Sequence, residues 1–131
     1  MKKLTNIFAL LLLVVCSLCL FSCDKTADDV VISVDGTKIQ IEDKTLKDYM
    51  DYLVSEGEMM YEISNGMITE VNGVKNGTNQ YWMIYTNDFE YSNTAWGTYE
   101  KDGVTYSSAT LGIEELPIKD GAIYILTYQT F

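Results

Sequence analysis

The chain has no histidine, a single proline and only three cysteines in 131 residues. Without histidine, neither a Ser-His-Asp or Cys-His catalytic arrangement nor the usual zinc site can be built. The cysteines, Cys16, Cys19 and Cys23, all lie near the N-terminus, so the rest of the chain has no disulfide and depends on its core. Basic residues are scarce, 9 against 19 acids, for a formal charge of −10. That balance argues against nucleic acid and an anionic membrane surface as partners, since both would repel it. The acids show no EF-hand spacing. A glycosidase-like carboxylate pair is available only by number, because nothing in the spacing selects one.

What is present begins with an export pattern. Lys2 and Lys3 precede the apolar run from Ile7 to Val15, which continues to Phe21 and meets Ser22-Cys23. The run falls short of the ~20 residues a membrane-spanning helix needs, and a basic start with a small residue before cysteine reads as a signal peptide over residues 1–22. Leu20-Phe21-Ser22-Cys23 resembles a bacterial lipoprotein box, which implies acylation of Cys23 and a membrane anchor on the extracytoplasmic side. Residues 23–29 then form a short polar tether, and residues 30–131 one domain. Removing residues 1–22 takes away two lysines and no acid, so −10 becomes −12.

The richest strand-forming stretch is Gln80–Thr86. Tyr81, Met83 and Tyr85 alternate with Trp82 and Ile84, so both faces need covering and a central strand is expected. Upstream, residues 30–34 and 38–42 around Asp35-Gly36 predict a hairpin. Leu46, Tyr49, Met50, Leu53 and Val54 predict a helix over residues 45–56, with Thr45 and Asp48 as an approximate capping box and Gly57 at its end. Its other side is acidic and reads as a solvated face. Short strands are expected at 59–63 and 67–71, with turns at Asn65-Gly66 and Asn72-Gly73 and a loop at 74–79. A further hairpin is expected around Lys101-Asp102-Gly103, and a last, interior strand over 122–128. Pro117 makes Leu116 extended and stops any helix there. This order describes an α+β domain, β-grasp-like, with one helix packed across a mixed β-sheet and an additional β-hairpin.

Two patches carry a family resemblance. One is Ile68-Thr69-Glu70-Val71-Asn72-Gly73 followed by Tyr81-Trp82-Met83-Ile84-Tyr85; the other is Leu111-Gly112-Ile113, Leu116 and Lys119-Asp120-Gly121 before the closing strand. In order and spacing they resemble the C-terminal domain of the vitamin B12 carriers transcobalamin and intrinsic factor and its bacterial relatives. The resemblance implies a β-grasp-like domain that closes over one face of cobalamin or another corrinoid, the other face being held by a separate helical domain. It places ligand contacts on Asn72, Gly73 and Val74 and on Thr110, Leu111 and Gly112. Asn72-Gly73 equally suits a turn with positive φ, and Val74 and Leu111 equally suit core or rim positions. Residues 90–109 exceed the short connection of the carriers, so their hairpin is an addition. Its Trp96 and Tyr106 form either a lid on a ligand or a packed edge.

The reading that follows is a non-enzymatic, surface-anchored binding module for a corrinoid or another flat, partly apolar molecule. It has no resident cofactor, and it feeds an uptake system or shares its ligand with a second chain. The alternative is a protein-interaction or adhesion module that uses its tyrosines as contact area. A pocket would set Trp96 or Tyr106 beside Leu111 around a concavity; an interaction module would spread the aromatics over a flat face.

Overall fold

The computed structural model describes residues 27–131; the expected signal peptide, Cys23 and most of the tether lie outside the described residues. Among the described residues there are eight strands, β1 (Val30–Ser33), β2 (Tyr61–Ser64), β3 (Met67–Val71), β4 (Val74–Lys75), β5 (Gln80–Thr86), β6 (Ser92–Lys101), β7 (Val104–Ala109) and β8 (Ile123–Thr130), and one α-helix, α1 (Leu46–Ser55). They form a five-stranded sheet in the order β1-β8-β5-β7-β6 and a three-stranded sheet in the order β2-β3-β4. The domain is therefore α+β. Every pairing is antiparallel, so the sheet is not mixed as its sequence suggested.

The alternation along β5 sets the layers. Trp82 and Ile84 face a core shared with Leu46, Tyr49 and Met50 of α1 and with Ile68 and Val71 of β3. Met83 and Tyr85 face the opposite side, where they pack with Tyr99, Tyr106 and Ile125 under the curled β6–β7 hairpin. β5 is the middle strand of five, and β8 lies inside the sheet between it and β1.

Local chemistry explains most boundaries. The Asp48 carboxylate accepts the Thr45 N–H at 2.9 Å and its hydroxyl at 3.2 Å, closing the start of α1. At the other end Gly57 takes φ +74°, its N–H reaches Val54 O and that of Glu58 reaches Leu53 O, the Schellman pattern that stops a helix. Asn65-Gly66, Asn72-Gly73 and Asp102-Gly103 all adopt positive φ, as two-residue hairpin turns require.

The N-terminal hairpin is a correction. β1 pairs with β8, and residues 38–42 form no strand. The Asp35 carboxylate accepts the Thr37 N–H at 2.9 Å and its hydroxyl at 2.6 Å, while Gly36 N–H donates to Asp120 Oδ1 at 2.9 Å. These side chains take the donors a hairpin would have used and curl the segment into a local turn. The expected strand at 59–63 starts later, at Tyr61.

Candidate functional site

β7 pairs with β5 only opposite Tyr85 and Thr86 and then leaves it. The chain turns away at Thr110, whose N–H donates to Tyr91 O at 2.9 Å. Gly112 follows. A Cβ on Gly112 would stand 2.8 Å from Gly66 O, so only glycine lets this loop lie against the Asn65-Gly66 turn. The departure opens a crevice of about 140 Å3 beside Trp82, Met83 and Ile84, with Leu111 and Gly112 as its other wall. It shares Met67, Met83 and Leu111 with a groove of about 570 Å3 that Tyr81, Trp96, Thr110 and Phe131 complete. No charged side chain lines either space.

The wall formed by Trp96 has a definite origin. Register on β7 jumps between Asn93, opposite Ser108, and Thr98, opposite Ser107, so residues 94–97 bulge from the ladder. Gly97 permits this with φ +90°. The Tyr85 hydroxyl donates to Trp96 O at 3.4 Å and the Tyr99 ring lies 5.6 Å from that of Tyr85, holding the bulge over the sheet. Across the groove, the Tyr81 and Phe131 rings stand 6.1 Å apart.

Of the residues singled out by sequence, Trp96, Thr110, Leu111 and Gly112 meet here. Asn72, Gly73 and Val74 lie away from this groove, and Tyr106 is buried within the hairpin's own packing. Asn72 and Gly73 form the β3–β4 turn near the end of α1, and Asn72 Oδ1 accepts the Met60 N–H at 2.9 Å. Val74 O accepts the Trp82 indole N–H at 2.8 Å, and Tyr106 packs with Tyr85 and Ile125. Asn72→Ala should cost about 1 kcal/mol of stability in urea unfolding and leave binding in the groove unchanged. The sequence reading missed Met67, Tyr81, Met83 and Phe131. The outward alternation of Tyr81 and Met83 was there to be used; Phe131, the last residue, gave no signal.

Two polar clusters lie outside the groove lining. Lys119 Nζ binds Glu90 at 2.6 Å and Asp88 at 3.1 Å and stands 5.5 Å from the Tyr91 ring, tying the 3-10 turn Phe89–Tyr91 to the chain before β8. Both carboxylates, that of Glu90 first, hold the Lys119 ammonium above its usual range. The Tyr99 hydroxyl donates to Asp29 Oδ2. That bond, with burial second, pushes the Tyr99 phenol up to about 12. A phenol raised in the folded state contributes its stability below the ordinary value of about 10 and loses it as pH rises through about 12. Tyr99→Phe should therefore be less stable than wild type by a constant margin up to about pH 10, and the margin should vanish toward pH 12, as paired urea titrations will show.

Among the described residues no group of acids is arranged to hold a metal ion, and no helix is long and apolar enough to cross a membrane. No protein-family model, curated protein or solved structure matches this chain.

Proposed function

We propose that this chain is a non-enzymatic binding module, anchored through lipidated Cys23 on the extracytoplasmic side of a membrane, whose groove receives one face of a flat, partly apolar ligand. One observation carries the reading. Of the nine large hydrophobic side chains exposed among the described residues, Met67, Tyr81, Trp96 and Phe131 converge on this single uncharged concavity. Scattered exposed apolar residues are ordinary, whereas a convergent set with aromatic walls is the usual make-up of a ligand site.

The ligand class rests on the resemblance to the transcobalamin C-terminal domain, which names a corrinoid. Thr110, Leu111 and Gly112, the second contact set of that resemblance, line the groove; Asn72, Gly73 and Val74, the first, do not. A β-grasp-like description is compatible with one helix packed on an antiparallel sheet. An open groove covers only one face of such a ligand, so the reading includes a second chain over the other face and delivery to an uptake system. Phe89, 83% exposed and outside the groove, favours the second reading, a protein-interaction or adhesion surface.

The test is titration of the mature protein with cobalamin and cobinamide, followed by Trp fluorescence and calorimetry. Saturation at micromolar or tighter affinity supports the reading. Absence of heat and of saturation removes the corrinoid and moves attention to protein partners.

A further inference from the structure

We infer that the open edge of β5 at Trp82 and Ile84 is a strand-addition site for an extended polypeptide segment of a partner, apolar in its middle and basic at its flanks. The direction of the edge follows from its first bonds. Trp82 N–H donates to Asn76 Oδ1 at 3.1 Å, and Gln80 O accepts the Gly77 N–H at 2.9 Å, so the even-numbered positions of β5 turn their backbone groups away from β8. Asn76 and Gly77 cover the beginning of this edge, and β7 covers its end, opposite Tyr85 and Thr86. Between them, Trp82 C=O and Ile84 N–H have no ladder partner among the described residues. One acceptor and one donor two residues apart are what a single residue of an added strand satisfies.

The surroundings match that occupant. The crevice of about 140 Å3 lies directly along Trp82, Met83 and Ile84, giving the incoming backbone a place opposite Leu111 and Gly112. Next to it, the groove walled by Met83, Trp96 and Leu111 receives the side chains that an extended segment points to one face. Natural proteins cover open sheet edges; here cover is supplied on either side and stops at this one pair. The partner's charge follows from the chain's own, −10 overall, and from Glu114, whose carboxylate lies 3.8 Å from where a Cβ would stand on Gly66 in the crevice wall. A net-acidic chain with the Glu114 carboxylate beside an uncharged crevice favours basic residues outside an apolar centre.

The probe is a pool of acetylated, amidated peptides about seven residues long, lysine at each end and Val, Ile, Leu, Phe or Tyr between, offered to the mature protein in solution. Enriched peptides are then added during amide hydrogen exchange resolved by NMR. The expected result is exchange at Ile84 slowed by roughly tenfold or more at saturation. N-methylation of the peptide residue facing Trp82 C=O should weaken binding by roughly tenfold, with methylation at neighbouring positions having little effect. No enriched peptide, enriched peptides that leave Ile84 exchange unchanged, or binding indifferent to N-methylation at every position would each overturn the inference. The site stands on the β5 edge and not on the corrinoid reading: cobinamide can fail to bind while Ile84 is protected, and the reverse.

Discussion

Leu126→Ala should lower the unfolding free energy by about 2–5 kcal/mol, and with it the melting temperature by roughly 10–25 °C for a domain of this size. Leu126 is fully buried in β8, opposite Val30 on one side and Ile84 on the other, and faces the core that α1 covers. Truncation there removes contacts from two strand pairings and a helix at once, and an interior strand has little freedom to collapse onto the space. Met60→Ala, at a side chain 72% exposed, is the control and should change stability by no more than about 0.5 kcal/mol. Thermal melts followed by far-UV circular dichroism separate the two. Equal effects would contradict the central placement of β8.

Trp96→Ala should weaken cobinamide binding by roughly thirtyfold, the loss of about 2 kcal/mol that truncating an aromatic anchor brings, while leaving the melting temperature nearly unchanged. Trp96 is 68% exposed and its side chain walls the groove, and the contacts fixing this stretch belong to its backbone and to Tyr85 and Tyr99. Leu111→Asp should do more, because it sets a carboxylate on a surface with no charged neighbour in the lining. Isothermal titration reads both effects, and circular dichroism shows that the fold persists. Should Trp96→Ala bind as wild type does, the exposed indole has another purpose and the groove is not the site.

Much of the fold was legible in the sequence because its signals were local. The period of Leu46, Tyr49, Met50, Leu53 and Val54, with Thr45, Asp48 and Gly57 at the ends, delimits α1 within a residue or so. The alternation in Gln80–Thr86 gave both the strand and its two buried faces. What misled was non-local. Residues 38–42 carry strand-forming side chains, but Asp35 and Asp120 supply acceptors that turn the segment, and β1 finds its partner some ninety residues away in β8. The lining of the groove was legible only in part. Trp96 and Leu111 are brought together because β7 leaves β5 after Ser108, a register event that no single segment announces. Asn72-Gly73 offered the same residue types to a turn and to a ligand; they form the turn, bonded to Met60 and away from the groove.

The most direct test of the central claim is an amide and indole NMR map of the mature protein as cobinamide is added. Binding in the groove predicts saturable shifts at the Trp96 indole, Thr110, Leu111 and Gly112, with Asn72 and Gly73 unmoved. Shifts centred on Asn72 and Gly73, or none at saturating ligand, would contradict it.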